Sequence, residues 1–181
     1  MHIKIPSDRI GALIGPDGET KNMLEERCGI ALDVDSESGS VTVDPQGDAL
    51  AAMKAMEFVK AVGRGFSPER ALPLLEDEML MLDLLDLSKL VATKNDMARV
   101  KGRIIGKDGK TRELMEELSG SRISVYGKTV AIIGQPEQIR VVRAAIEMLL
   151  DGAPHGNVYS FLEKKHREMA IAELEGKPDV L

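Results

Sequence analysis

The sequence contains the same segment twice, 91 positions apart. Residues 11–20 overlay residues 102–111, and the two stretches share three glycines, an isoleucine, an aspartate and a threonine. The match continues at two glutamates, a glycine and a valine, which makes ten identities at one offset. A repeat of this kind predicts two copies of one supersecondary unit. The 181 residues are therefore expected to form two small domains.

Each copy has the same predicted order of elements, β-α-α-β-β-α. Alternating apolar and polar residues predict strands, Gly29 is placed to end a helix, and Asp48 is placed to begin one. In the first copy we expect strands at 3–5, 30–35 and 41–43 and helices at 8–14, 19–28 and 48–62. In the second copy we expect strands at 123–125 and 130–133 and a helix at 136–150.

The leading strand of the second copy has two candidates. Residues 80–87 are the first, followed by an extended helix over 89–105, and residues 90–92 are the alternative. With the first candidate, the predicted division is a first domain, an acidic connector, a second domain, and a C-terminal helix and tail, at 1–66, 67–79, 80–152 and 153–181. The last helix is expected over 157–175.

A Gly-x-x-Gly loop between two helices stands at the centre of each copy. The loops are Gly15-Pro16-Asp17-Gly18 and Gly106-Lys107-Asp108-Gly109. With the hairpin and helix that follow, this arrangement resembles the KH domain, and its element order is that of type I. The resemblance predicts an α+β fold of two type I KH domains. Each would have a three-stranded antiparallel sheet with helices on one face, and a C-terminal helix would follow.

The residue types of the motif suit RNA binding. Glycine lets a phosphate backbone approach closely, and a helix N-terminus favours anions. KH domains clamp about four nucleotides, so we expect basic residues at phosphates and apolar residues along the groove. The candidates in the second copy are Arg99, Lys101, Gly102, Arg103, Ile104, Ile105, Gly106, Lys107, Asp108, Gly109, Lys110, Arg112 and Ile123.

Charge is distributed unevenly along the chain. The formal net charge is −6, which is unfavourable for binding nucleic acid. However, residues 94–112 hold seven basic and two acidic side chains, whereas residues 69–86 hold one basic and six acidic. The second motif is therefore the predicted RNA site.

The first motif is acidic, with three basic and five acidic side chains over residues 8–27. Two interpretations stay open for it: weak RNA contact, or a structural copy that packs against the second. The candidates for contact are Arg9, Gly15, Pro16, Asp17, Gly18 and Lys21. Asp17 and Asp108 recur at matching positions, which indicates a role at a helix start rather than a catalytic pair.

Other classes of function are disfavoured by composition. Only five aromatic residues, with no Trp, argue against single-strand binders that stack bases on aromatic side chains. A single cysteine, Cys28, excludes an intramolecular disulfide and a cysteine zinc site. The Gly-rich stretch before Lys107 has one residue too few for a Walker A loop. We expect no catalytic residue, metal or cofactor.

Targeting signals are absent from the sequence pattern. The N-terminus lacks the regions of a signal peptide, and no apolar run reaches the length of a membrane span. We therefore expect a cytoplasmic protein in a reducing compartment, with no membrane partner.

Two segments sharpen the resemblance. Residues 63–72 read GRGFSPERAL, and residues 152–163 read GAPHGNVYSFLE. Together with the tandem KH layout, they resemble the Dim/Pno-type ribosome-assembly proteins, which are related to Krr proteins, and the compact length resembles archaeal-type members. The resemblance implies binding to small-subunit ribosomal RNA near its 3′ end. It also implies partnership with the Nob-type endonuclease and the alpha subunit of initiation factor two.

Alternatives remain at this level. The first alternative is a general KH binder of messenger or other single-stranded RNA. The second is a protein scaffold that holds a basic partner on its acidic connector. His155 and Tyr159 are expected to brace the last helix, with contact to RNA or a partner as the less favoured alternative.

Overall fold

The computed structural model describes residues 1–176, which form two compact units, Met1–Leu82 and a second one that begins at Asp83. The first unit contains three strands and three helices in the predicted order, followed by two short helices that were not predicted. These are β1 His2–Lys4, α1 Ile10–Ile14, α2 Glu19–Cys28, β2 Ile30–Asp35, β3 Ser40–Pro45, α3 Ala49–Gly63, α4 Pro68–Ala71 and α5 Pro73–Glu76.

The sheet of the first unit has the order β1-β3-β2, with both pairs antiparallel. Leu32 lies opposite Val43, and Val41 and Val43 are buried while Thr42 between them is exposed. This alternation gives the sheet one apolar face, on which α3 packs. Asp48 begins α3 as predicted, because its carboxylate accepts hydrogen bonds from the Leu50 and Ala51 N–H groups at 3.0 and 3.2 Å.

The segment predicted as a connector is part of the first unit. Helices α4 and α5 occupy it, and Ala71 and Leu74 bury their side chains. Ser67 caps α4 by accepting a hydrogen bond from the Arg70 N–H at 3.3 Å. The apolar residues interleaved with the acidic ones therefore tie this segment to the α3 helix.

The second unit repeats the arrangement and adds one long helix. Its sheet has the order β4-β6-β5. The elements are β4 Met81–Asp86, α6 Lys94–Ile105, α7 Lys110–Ser119, β5 Arg122–Tyr126, β6 Thr129–Gly134, α8 Pro136–Leu150 and α9 His155–Leu174. The α+β prediction with two three-stranded antiparallel sheets and a C-terminal helix is confirmed.

The leading strand of the second copy lies at the first of its two predicted positions. Residues 90–92 are not a strand, so that alternative was wrong. The following helix is shorter than expected, because residues 87–89 form a 3-10 turn and Thr93 begins α6 by accepting a hydrogen bond from the Asp96 N–H at 3.1 Å.

Helix α9 completes the core of the second unit. Val158 and Leu162 are fully buried, and Phe161 and Met169 pack against the same cluster. The last helix begins two residues earlier than predicted, and the predicted tail at 177–181 lies outside the described residues. No helix within residues 1–176 is long and apolar enough to cross a membrane.

Candidate nucleic-acid interface

The two Gly-x-x-Gly loops have the same backbone conformation. The first glycine of each loop, Gly15 and Gly106, has φ 76°, with ψ of 172° and 173°. The fourth residue, Gly18 and Gly109, has φ 76° and 74°. Ten identities in the sequence therefore encode one loop geometry twice, and any difference in binding between the loops comes from their side chains.

The aspartates at the third loop position serve the backbone. Asp17 and Asp108 have φ of 53° and 56°, in the left-handed region that few residues other than glycine occupy. Aspartate is one of the side chains that tolerate this region. Neither side chain caps the following helix, which begins at a glycine without a side-chain hydrogen bond. The predicted helix-start role is thus a matter of conformation and not of capping.

The glycines at the first loop position are required by a close approach. A Cβ on Gly106 would lie 2.1 Å from Thr111 Oγ1 and 2.8 Å from the Thr111 backbone nitrogen. Gly15 has the same relation to Thr20, at 2.4 and 2.9 Å. The threonine pair was not among the predicted site residues. Both copies have threonine at this position, and this match in the repeat could have pointed to the pair.

The exposed side chains of the loops have opposite charge. Lys107 and Lys110 are exposed in the second loop. At the matching positions, the first loop exposes Pro16 and Glu19. The geometry that allows a phosphate to approach is therefore combined with positive charge in the second loop alone.

Two of the cations predicted to contact RNA, one in each unit, form ion pairs within their own unit. Arg112 Nη1 lies 2.9 Å from Glu116 Oε1, which also accepts a hydrogen bond from the Ile123 N–H at 2.8 Å. In the first unit, Lys21 Nζ lies 3.5 Å from Glu25, which accepts a hydrogen bond from the Leu32 N–H at 3.2 Å.

These repeated networks connect the second helix of each copy to its edge strand. Both cations are half-buried beside their glutamates, so part of their charge is neutralised inside the unit. Glu25 and Glu116, which occupy matching positions in the repeat, form this connection. The sequence pattern did not predict this role.

The apolar candidates divide between core and surface. Ile104 and Ile123 are fully buried in the core of the second unit, so they do not line an open groove as expected. They support the loop and the edge strand from beneath. Ile105 and Lys101 are half-buried and Gly102 is exposed, so these three keep a surface that a ligand can reach.

Two arginine candidates hold the end of the long helix that follows the hairpin. Arg9 donates hydrogen bonds to the carbonyls of Val62 and Phe66 at 2.8 and 2.9 Å. Arg103 Nη2 donates to the Ala153 carbonyl. Both side chains therefore have a structural task. Arg99 is exposed, and its Nε lies 3.8 Å from Asp96 on its own helix.

His155 and Tyr159 brace the last helix, as the favoured interpretation expected. The His155 ring nitrogen Nε2 lies 3.1 Å from the Arg103 carbonyl. Tyr159 Oη lies 2.8 Å from Thr111 Oγ1. Since Thr111 packs under Gly106, the start of α9 is connected to the Gly-x-x-Gly loop through one hydrogen bond.

Among residues 1–176, no three His, Cys, Asp or Glu side chains stand together as a metal site. Cys28 is buried at the end of α2, and this burial raises the pKa of its thiol. It is a core residue.

Each half of the chain matches a known domain family. Residues 1–61 match the KH domain, and residues 81–167 match the eukaryotic type KH domain, type I, of the second Pno1 domain. Together with the repeated loop geometry, these matches make the chain a tandem type I KH protein.

The relatives narrow the class to a family. The chain is 44% identical over 176 residues to KH domain-containing protein MJ0443 of Methanocaldococcus jannaschii, covering 96% of this chain and 77% of that one. It is 35% identical over 119 residues to the pre-rRNA-processing protein pno1 of Aspergillus fumigatus, covering 65% of this chain and 47% of that protein. The chain thus spans about half the length of this eukaryotic relative.

A solved structure has the same fold. It is the a/eIF2alpha–aDim2p–rRNA complex from Pyrococcus horikoshii, with 48% identity and a TM-score of 0.87, over 92% of this chain and 93% of that one. The chain belongs to the Dim2/Pno1-type family of tandem KH proteins.

Proposed function

We propose that this protein is an RNA-binding factor of ribosome assembly that grips single-stranded RNA through the Gly-x-x-Gly loop of its second unit. One observation supports this most directly. Two loops with the same backbone stand in one chain, and only the second exposes lysines, at Lys107 and Lys110. The first loop has the same backbone but lacks the positive charge of the second.

The chemistry of the grip follows from the loop. The Gly109 and Lys110 N–H groups donate to the Gly106 and Lys107 carbonyls, so the N–H groups of the next two residues of α7 are the donors that we assign to a phosphate oxygen. A Cβ on Gly109 would meet no atom within 4 Å, which leaves open space beside the helix start. Lys107 and Lys110 supply the charge that offsets the phosphates, and α7 supplies the directed donors.

The RNA target is proposed from the relatives. The Aspergillus relative is called a pre-rRNA-processing protein, and the Pyrococcus protein was crystallised with rRNA and a/eIF2alpha. By analogy, we propose that this chain binds small-subunit ribosomal RNA near its 3′ end and that the alpha subunit of initiation factor two is a partner. The Nob-type endonuclease is a further proposed partner. On this proposal the protein is a cytoplasmic binder without catalysis.

The experiment is crosslinking in cells followed by sequencing of the bound RNA. The test variant carries the first loop's residues in the second loop, Lys107→Pro with Lys110→Glu, which the shared backbone accommodates. The control, Lys164→Gln with Arg167→Glu, makes the same change in charge on exposed residues of α9.

We expect ribosomal fragments from the small-subunit 3′ end with the wild type and the control, and their loss with the loop variant. Mostly messenger RNA would instead favour a general KH regulator. Unchanged ribosome association without crosslinks would favour a protein scaffold.

A gain of binding is the complementary test. Pro16→Lys with Glu19→Lys gives the first loop the charge of the second on the same backbone. We expect this variant to bind single-stranded RNA more tightly in vitro than the wild type. No gain would mean that loop charge is not what separates the two copies.

A further inference from the structure

An apolar groove lies beside α3 in the first unit. Its volume is about 480 Å³, within the range of about 300–1,000 Å³ that is usual for ligand pockets. One wall is the outer face of α3, and the other is the segment of residues 78–81. Among the described residues, no lining side chain comes from α1, α2 or the first Gly-x-x-Gly loop. The groove is therefore separate from the residues assigned to RNA.

The lining of the groove is mostly apolar. Its principal apolar side chains are Leu50, Met53, Met56, Leu74, Leu80 and Met81. Met56 and Leu74 are buried, so they lie at the base of the groove, whereas Leu50 and Met53 are each 59% exposed. Exposed apolar side chains that lie together mark interaction surfaces. Methionine is common on surfaces that bind protein segments, because its unbranched side chain adapts to the shape of a partner.

The second copy has a polar surface at the same place. Helices α3 and α8 are both 15 residues long, and in both of them the fourth, seventh and tenth residues are buried. In α3 the second and fifth residues are Leu50 and Met53. In α8 the second and fifth residues are Glu137 and Arg140. The shared fold therefore does not require apolar side chains on this face, and their presence in the first copy needs another reason.

The second wall of the groove is held in place within the first unit. Asp77 Oδ1 accepts a hydrogen bond from the Met79 N–H at 2.8 Å, which fixes the turn that leads into this wall. Lys54 Nζ on α3 lies 3.9 Å from Glu78 Oε1 and connects the two walls. Because the groove is formed before a ligand arrives, binding does not have to order it, and this lowers the cost of association.

Glu57 gives the groove a preference for a cation. Its side chain is half-buried and lines the groove, and its carboxylate has no hydrogen bond or ion pair within residues 1–176. Burial raises the pKa of this carboxyl, and the charges of Lys60 and Lys54 oppose the shift. A basic side chain that entered the groove would offset the lost solvation of the charged carboxylate.

We propose that this groove docks a protein partner through a short amphipathic segment. The apolar side chains of the segment pack on Leu50 and Met53, and a basic side chain pairs with Glu57. Binding of an amphipathic segment in an apolar groove is a common mode of protein recognition. Residues 69–86 hold one basic and six acidic side chains, so the surroundings favour a basic segment over the phosphates of RNA or of a lipid surface.

This inference goes beyond RNA binding and does not rest on the second Gly-x-x-Gly loop. It gives the first unit a task that its acidic loop does not provide. The protein would hold RNA on one unit and a partner protein on the other.

The test is a selection of peptides from a random phage-displayed library on the immobilised full chain, with excess single-stranded RNA present. The groove variant is Leu50→Gln with Met53→Gln, which changes two exposed side chains of α3. The matched control is Leu90→Gln with Ile171→Gln, which changes side chains that are 52% and 55% exposed in the second unit. Equal melting temperatures establish that the variants are folded.

We expect the selected peptides to combine large apolar residues with Lys or Arg. In fluorescence anisotropy, the tightest peptide should bind the wild type and the control equally, and the groove variant at least about tenfold more weakly, because two anchors are lost. Replacing the peptide's basic residue by Gln should weaken binding to the wild type about fivefold. The same replacement should not weaken binding to Glu57→Gln, since the pair is already broken.

Equal binding of the selected peptides to the wild type and the groove variant would overturn the proposal, as would the selection of acidic peptides or of none. A wild-type dimer in analytical ultracentrifugation that the groove variant abolishes would make a second copy the occupant and refute a separate partner. A groove variant that loses RNA affinity would assign the groove to RNA instead. Failure to select any peptide would leave the proposal for the second loop standing, because that loop is tested by RNA binding.

Discussion

Replacing Gly106 and Gly109 singly by alanine should show how much of the stability of the second Gly-x-x-Gly loop depends on backbone conformation and how much on a steric clash. Gly106 has φ 76° and ψ 173°, a region that is essentially restricted to glycine. Its Cβ would also lie 2.8 Å from the Thr111 backbone nitrogen, which cannot move away without disturbing α7. Gly109 has φ 74° and ψ 10°, and its Cβ would meet no atom within 4 Å.

The expected free energies follow from this contrast. Gly109→Ala should lower the free energy of unfolding of the second unit by about 1 kcal/mol, the cost of a left-handed alanine. Gly106→Ala adds a clash to a larger conformational cost, so about 3 kcal/mol or more is expected. For a unit of this size, these losses correspond to melting temperatures lower by about 5 °C and about 15 °C.

Tyrosine fluorescence is the assay, because the chain has two tyrosines and no Trp. Tyr126 lies on β5 and Tyr159 on α9, so thermal unfolding followed by their emission reports on the second unit. The paired variants change the same residue type within four positions of each other, so each controls for the other. Equal losses of stability would refute the role assigned to the Gly106–Thr111 approach.

The same contrast determines how RNA binding should be probed. A Gly106→Asp change would meet the same steric conflict with Thr111 as Gly106→Ala, so it would lower stability as well as repel phosphate. Gly109→Asp adds the negative charge where space is open and aspartate tolerates the backbone, as Asp108 does next to it. Loss of RNA affinity with little loss of stability is the expected outcome for Gly109→Asp.

Two further predictions concern the fold. Glu116→Ala should lower the stability of the second unit by about 1–2 kcal/mol in urea unfolding, because the Ile123 N–H and Arg112 lose their acceptor. Its exposed neighbour is the control, and Glu117→Ala should cost less than about 0.5 kcal/mol; equal effects would contradict the helix-to-strand tie. Burial raises the pKa of the Cys28 thiol, so as pH rises toward 9 the folded protein keeps this thiol protonated while the unfolded chain ionises. Iodoacetamide should therefore label the folded protein at least about tenfold more slowly than the urea-unfolded chain at pH 8, and equal rates would mean that Cys28 is accessible.

Local patterns in the sequence determined most of the architecture. The repeat, the alternation of the strands and the positions of Gly29 and Asp48 predicted the order of the β-α-α-β-β-α elements in each copy, because these signals act within a few residues. The two short helices of residues 68–76 and the start of α6 were not predicted. The second Gly-x-x-Gly loop was also predictable as the candidate site, since exposed lysines inside a loop depend little on distant residues.

Tertiary packing decided what each cation does. Arg9, Arg103 and Arg112 look equivalent to Lys107 in a charge count, yet the fold places carbonyls or a glutamate beside the three arginines. The carbonyl partners of Arg9 and Arg103 lie 50 to 57 residues away in the chain, so no local pattern reveals them.

Burial of the isoleucines was likewise a matter of tertiary structure. Ile104, Ile105 and Ile123 are alike in sequence, but packing leaves only Ile105 partly exposed. The groove beside α3 arises in the same way, because its walls are α3 and residues 78–81, which α4 and α5 separate along the chain. Sequence determined the loop and its charge, and the packed unit determined which of the neighbouring side chains remain available to a ligand.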